Sequence, residues 1–252
     1  MNPHGDFIWY ELSTRDAAAS RGFYADVLGW RYETMPGDIP YELASAGGGP
    51  VAGLYPIPAG AEMPVAWIGY VGVDDVDRAV AAVIADGGRE MMAAQDIPGV
   101  GRMAGLVDPQ GAAFMVMRGA SPEASDAFDP AAIGHCNWNE LALPDPAAGL
   151  AFYGRHFGWT PGGAMPMGEL GEYRFIDHAG RTIGAVMPLQ PPRPPSFLFY
   201  FGVADIEAAT AAVKTGGGTV LAETQPIPGE MFITVALDPQ GAAFGLVGPR
   251  KG

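Results

Sequence analysis

The chain spells much of itself twice. Trp9, Glu11 and Leu12 return as Trp138, Glu140 and Leu141, Phe23-Tyr24 as Phe152-Tyr153 and Gly29-Trp30 as Gly158-Trp159, all at an offset of 129 residues. The string DPQGAAF stands at Asp108–Phe114 and again at Asp238–Phe244, at an offset of 130. That period is far too long for a solenoid, so the reading is one domain copied in tandem, at 1–120 and 133–252. The stretch between them, 121–132, is polar, Ala/Pro-rich and aperiodic, as a linker should be.

Within each copy the pattern repeats again. Alternation near 6–12 predicts a strand, and Asp16 reads as the N-cap of a helix that stops at Gly29. In the second copy Asp145 is followed by Pro146, the residue favoured at the first helical position. Three short strands follow, near 31–35, 40–46 and 50–56. The pattern then restarts with a strand near 65–73, a helix from Asp75 to Ala85 and three more strands. Each copy is therefore strand–helix–three strands, twice, and the fold class is α+β. The glycines at 47–49, 99 and 101 fall in expected hairpins with no helix behind them, so they read as turn residues rather than phosphate loops.

Bulk properties narrow the function. A formal net charge of −14 and a sequence pI near 4.5 argue against nucleic acid and anionic membrane surfaces as partners. The single Cys136 leaves no internal disulfide and fits a reducing cytoplasm. No secretory signal pattern is visible at the N-terminus, and no apolar run reaches spanning length. The expectation is a cytoplasmic protein, monomer or homodimer, whose partner is a small molecule.

The module order, with FY and LGW closing the first helix and DPQG before the last strand, resembles the vicinal oxygen chelate superfamily. This is the glyoxalase, bleomycin-resistance and extradiol-dioxygenase fold, and the wording is similar to a two-domain glyoxalase-like subgroup. The resemblance implies that each pair of βαβββ units forms a cup-shaped sheet holding the site. It also implies metal ligands on the first, fourth, fifth and eighth strands in the metal-dependent members. Those positions fall on Trp9 and Trp138, on a fourth strand without any carboxylate, on Ile68 and Leu198, and on Met115 and Gly245. Indole and aliphatic side chains offer no lone pair to a divalent ion, and a thioether is a poor partner for a hard one. The expectation is no bound metal and no cofactor. His135 and Cys136 are adjacent on a strand and point to opposite faces, so they offer no chelate either.

If Trp9 and Trp138 face the cups, strand alternation turns Glu11 and Glu140 the same way. Ile68 with Tyr70, and Leu198 with Tyr200, complete two apolar walls that each carry a carboxylate and a phenol, the profile of a small-molecule pocket. The same side chains also suit a plain core in which Glu11 and Glu140 each bond a neighbouring backbone group or Tyr70 and Tyr200. The second copy carries Tyr173-Arg174 where the first has Tyr41-Glu42, and Gly245 in place of Met115 is expected to leave more room there. Candidate ligand-binding residues are thus Trp138, Trp9, Leu198, Met115, Ile68, Tyr173 and Arg174.

Two functions compete on these residues. One is a metal-independent protein that binds a planar or aromatic small molecule. The other is a metal-free lyase, isomerase or cyclase with Glu140 or Glu11 as base and Tyr200 or Tyr70 as acid. A metal-dependent glyoxalase or dioxygenase fits less well, as does a scaffold using the Pro-rich stretch Pro188–Ser196, which reads better as a stiff connector.

Overall fold

The computed structural model describes residues 2–36 and 40–251. The first module runs β1 (Phe7–Thr14), α1 (Ala17–Leu28), β2 (Arg31–Met35), β3 (Tyr41–Ala46) and β4 (Gly49–Pro56). The second runs β5 (Ala66–Gly72), α2 (Val76–Ala85), β6 (Arg89–Ile97), β7 (Gly101–Val107) and β8 (Ala113–Gly119). The third is β9 (Cys136–Leu143), α3 (Pro146–Phe157), β10 (Thr160–Pro166), β11 (Glu172–His178) and β12 (Arg181–Pro188). The fourth is β13 (Ser196–Gly202), α4 (Ile206–Thr215), β14 (Thr219–Val220), β15 (Gln225–Ile227), β16 (Met231–Leu237) and β17 (Ala243–Pro249). In that last module β14 and β15 both pair with β16, so a strand that is continuous in the second module is here broken in two.

Local chemistry sets the helix ends. The Asp16 side chain accepts from the Ala19 N–H at 2.9 Å, and Asp145 from Ala148 at 3.0 Å, each satisfying a donor that the first helical turn leaves open. Both helices stop at a glycine in the left-handed region, Gly29 at φ 73° and Gly158 at φ 72°, where a Cβ would be strained. Each module lays its first strand parallel to its last, giving the orders β2-β3-β4-β1, β6-β7-β8-β5, β10-β11-β12-β9 and β14-β16-β17-β13.

The chain forms two compact units, and each takes one module from each half. One comprises Met1–Ile8, Gly69–Ser125 and Trp138–Phe197; the other comprises Trp9–Ile68, Asp126–Asn137 and Leu198–Gly252. In the first unit α2 packs on α3, and in the second α1 packs on α4.

The repeated motifs are what join the modules inside each unit. In the first unit the buried Asp108 accepts from its own turn, Gln110 N–H at 2.8 Å and Ala112 N–H at 2.9 Å, while its other oxygen accepts from the Tyr153 hydroxyl at 3.0 Å. Gln110 then pairs twice with the backbone of Asp145, accepting at 2.7 Å and donating at 2.8 Å. In the second unit Asp238 accepts from Gln240, Ala242 and the Tyr24 hydroxyl, and Gln240 bonds the backbone of Asp16 at the mouth of α1. The LGW and FGW tryptophans do the same work elsewhere: Trp159 donates to the Gly5 carbonyl at 2.8 Å and Trp30 to the Gly134 carbonyl at 2.7 Å. Both stack on the clamping phenol, Trp159 on Tyr153 and Trp30 on Tyr24.

The segment at 121–132 is not a free tether. Ala127 and Phe128 are buried, the Ser125 hydroxyl donates to the Ile8 carbonyl at 2.6 Å, and Asp129 accepts from the Ala131 and Ala132 N–H groups. Two apolar side chains in a mostly polar stretch are enough to seat it. The glycines at 47, 48, 99 and 101 have positive φ in the β3–β4 and β6–β7 turns, as expected of turn residues.

Because Asp108 and Asp238 are buried, removing a phenol takes away one of the three donors that each carboxyl group meets. Tyr153→Phe and Tyr24→Phe are each expected to lower unfolding free energy by about 1–3 kcal/mol, read as an earlier urea midpoint with unchanged slope. A backbone nick placed within 121–125 of the folded chain is expected to leave both fragments eluting together, since each compact unit is built from both halves.

Candidate functional site

The first strand of each half carries a Trp and a Glu on one face. On β1 Tyr10 and Leu12 are fully buried, while the intervening Trp9 and Glu11 are half-buried and belong to the opposite face. On β9 Trp138 is half-buried and Glu140 is 8% exposed.

A phenol from the third strand ties each pair together. The Trp138 indole N–H donates to the Tyr173 hydroxyl at 2.8 Å, and that hydroxyl donates to Glu140 Oε2 at 2.9 Å. In the other unit Trp9 donates to the Tyr41 hydroxyl at 2.9 Å, and Tyr41 hydrogen-bonds Glu11. Register explains how a residue two strands away arrives there. Glu11 pairs with Gly53 on β4, and a Cβ at Gly53 would collide with the Tyr41 hydroxyl, so the ring lies across that glycine. The equivalent partner of Glu140 is Ala185.

Electrostatics fix the protonation of these phenols. Burial first, and then the negative charge of Glu140, push the Tyr173 hydroxyl well above the ordinary tyrosine range, with the Trp138 bond pulling the other way. Burial and Glu11 do the same to Tyr41. Each is a neutral donor locked onto a carboxylate.

The remaining sequence-derived residues distribute as follows. Tyr70 is buried and pairs in register with Met115, also buried. Met115 shares its face with Met92 and, one row on, Met103 and Met117, so this wall is lined with thioethers. Tyr200 is buried and pairs with Gly245, where a Cβ would collide with the Tyr200 ring. The space expected from Gly245 is therefore occupied by Tyr200, which corrects the expectation of a roomier wall. Ile68 is half-buried and Leu198 buried. Arg174 lies on the opposite face of β11 from Tyr173, donating to Glu172 at 2.6 Å, so those two neighbours do not act on one wall.

Two residues that complete the walls were not singled out from the sequence. Tyr41 was noted only as the counterpart of Tyr173, although both open the third strand of a half. Phe175, two residues on from Tyr173, stands 5.8 Å from the Trp138 ring and 6.1 Å from the Tyr173 ring, edge-on to both. Strand alternation from Tyr173 would have found it.

The side chains expected from the resemblance at the first-, fifth- and eighth-strand ligand positions do not suit a hard divalent ion: indole at Trp9 and Trp138, aliphatic chains at Ile68 and Leu198, thioether at Met115 and glycine at Gly245. No carboxylate lies on β4 or β12. Among the described residues there is no group of three or more His, Cys, Asp and Glu that could hold a metal ion. The differences between copies at His135, Asn137 and Asn139 serve the backbone: these side chains bond the carbonyls of Asp126, Ala132 and Ile183. No described helix is long and apolar enough to cross a membrane.

Comparison with known proteins follows this geometry. Residues 132–246 match the model of the Glyoxalase/Bleomycin resistance protein/Dioxygenase superfamily, and residues 9–117 match that of a Glyoxalase-like domain. The protein CFP32 of Mycobacterium tuberculosis, named as a candidate glyoxylase, is 36% identical over 247 residues, covering 96% of this chain and 94% of that one. The anthracycline biosynthesis protein DnrV of Streptomyces peucetius is 31% identical over 267 residues, covering 97% and 93%. Among solved structures, a Mn(II)-bound glyoxalase from Novosphingobium aromaticivorans aligns with a TM-score of 0.66 at 17% identity, covering 100% of this chain and 84% of that one. An extradiol ring-cleaving dioxygenase from B. fuscum aligns at 0.69 and 17%, covering 99% and 74%. At that identity the likeness is one of fold.

A consequence for pH follows from the phenols. Tyr24, Tyr32, Tyr41, Tyr153 and Tyr173 all have raised values in the folded chain. The unfolded chain releases those protons near pH ~10 while the folded chain keeps them, so their contribution is complete below that pH and is lost as pH rises past it. Alkaline titration followed by tyrosinate absorbance is expected to show these five silent until the chain unfolds, and Tyr173→Phe should shallow the alkaline fall in stability.

Proposed function

The chain belongs to the glyoxalase/bleomycin resistance protein/dioxygenase superfamily, and within it we propose that it binds a planar or aromatic small molecule without a resident metal. One observation carries the reading. Where metal-dependent relatives are expected to place a first-strand ligand, both halves place a half-buried indole whose N–H is held by a half-buried phenol, and that phenol is held by a carboxylate. A tryptophan fixed this way keeps one ring face oriented for stacking, with its polar edge already satisfied. The anthracycline biosynthesis relative, with coverage above nine-tenths of both chains, supports a polycyclic aromatic ligand.

The competing acid–base reading assigns proton transfer to a carboxylate and a phenol. Tyr173 argues against that role for itself, because a hydroxyl raised this far is a weak acid at neutral pH. Its geometry suits positioning of Trp138 and Glu140. Tyr200 and Tyr70, the phenols first considered as acids, are buried beside Gly245 and Met115. Glu140, Glu11, Leu198 and Ile68 remain proposed members of the binding walls.

The test is calorimetric titration of 9-anthracenemethanol into chelator-treated protein. Binding is expected without metal, with Trp138→Leu weakening it about tenfold and added Mn(II) or Zn(II) leaving it unchanged. Binding that requires an added metal, or a stoichiometric ion that resists the chelator and is needed for binding, would overturn the proposal.

A further inference from the structure

We infer that β6, β7 and β8 carry a thioether site for a soft monovalent cation, Cu(I) being the biological case. Five methionines reach one face there. Met103 pairs with Met117 and Gly105 with Met115, and on its other side Gly105 pairs with Met92. The missing side chain of Gly105 leaves a point that three methionines surround. Met92 Cβ lies 3.0 Å from where a Cβ would stand, Met91 Cε 3.1 Å and Met115 Sδ 3.2 Å. Adjacent strand residues ordinarily point to opposite faces. Here the register of β6 shifts between Glu90 and Met92, so Met91 is an inserted residue whose end reaches the same face as Met92.

Packing alone does not call for sulfur at these places. At an offset of 130 residues the fourth module keeps the same register, with Val235 opposite Gly245 and Ile233 opposite Val247. Leu221 and Ala222 stand for Met91 and Met92, so none of the five thioethers has a sulfur-bearing counterpart. Thioethers are soft, neutral donors that suit Cu(I) and Ag(I) and serve Mn(II) or Zn(II) poorly. Methionine is unbranched with three rotatable bonds, so sulfurs gathered round one glycine can close on an ion with little backbone movement. Met91 is 48% exposed and Met92 and Met103 are half-buried, which gives the ion a way in, while Met115 is buried. The Met92 sulfur accepts from the Gln95 amide at 3.5 Å, a weak bond that leaves it a lone pair for a cation.

The experiment is methyl NMR of the full chain labelled at methionine Cε, titrated with silver nitrate in chloride-free buffer. Silver reports the site without redox chemistry. The Met91, Met92 and Met115 signals are expected to shift together and to saturate at about one ion per chain. The exposed Met35 and Met63 should stay in place until the ion is in excess. Cu(I), held reduced under nitrogen, should move the same signals, and Mn(II) and Zn(II) should move none. Met91→Leu, at an exposed position, is expected to weaken silver binding about tenfold, and Met115→Leu by as much. Should Met115→Leu fail to fold, Met91→Leu decides the matter. Cluster signals that stay unmoved, with the ion held elsewhere such as at Cys136, overturn the inference. So do shifts of Met35 and Met63 in step with the cluster, unchanged affinity in Met91→Leu, or silence with Cu(I).

Discussion

Two buried aspartates, Asp108 and Asp238, hold the architecture together. A carboxylate in a protein interior is costly unless its lone pairs are met, and each of these meets three donors: two backbone N–H groups from its own DPQG turn and one phenol from a helix of the other half. The turn donors organise the last strand of a module. The phenol donor ties that module to a helix of the other half. Gln110 and Gln240 add bonds to the backbone at the helix mouth. The clamp therefore ties a module of one half to a helix of the other, inside a core otherwise filled by aromatic rings.

This assigns the family's sequence marks to the frame. FY, GW and DPQG are the residues of the clamp, and none of them lies on the walls that carry Trp9, Glu11, Trp138 and Glu140. Solved structures align over nearly the whole chain at 17% identity, one of them a Mn(II)-bound glyoxalase, and that likeness is one of fold. Likeness of frame says which side chains share a wall, and the identity of those side chains says what the wall can hold.

Local chemistry made much of this legible in the sequence. Asp16 and Asp145 announced helix starts, Gly29 and Gly158 announced stops, and alternation put Trp9 with Glu11 and Trp138 with Glu140 on one face. These are signals of one to four residues. The partners of the two carboxylates were not legible, because Tyr173 reaches Glu140 only through an antiparallel pairing of β11 with β12 and a parallel pairing of β12 with β9. The exchange of modules between halves escaped for the same reason: Tyr153 and Asp108 are 45 residues apart, and nothing local says whether a phenol seeks the aspartate of its own copy or the other. Gly245 misled because a missing side chain reads as space, when Tyr200 takes it.

The same division explains how the halves diverged. Both clamps are kept residue for residue, and so are both Trp–Tyr–Glu lines, yet the positions around them differ: Leu43 against Phe175, Gly53 against Ala185, Met115 against Gly245. Each change stays on a wall and leaves the clamp's donors and acceptors untouched. A single-copy protein would have to alter its one site to acquire a new ligand. Here each compact unit is built from segments of both copies. A thioether-lined wall in the second module and a cluster of three rings in the third are the outcome, two surfaces of different chemistry carried by one duplicated scaffold.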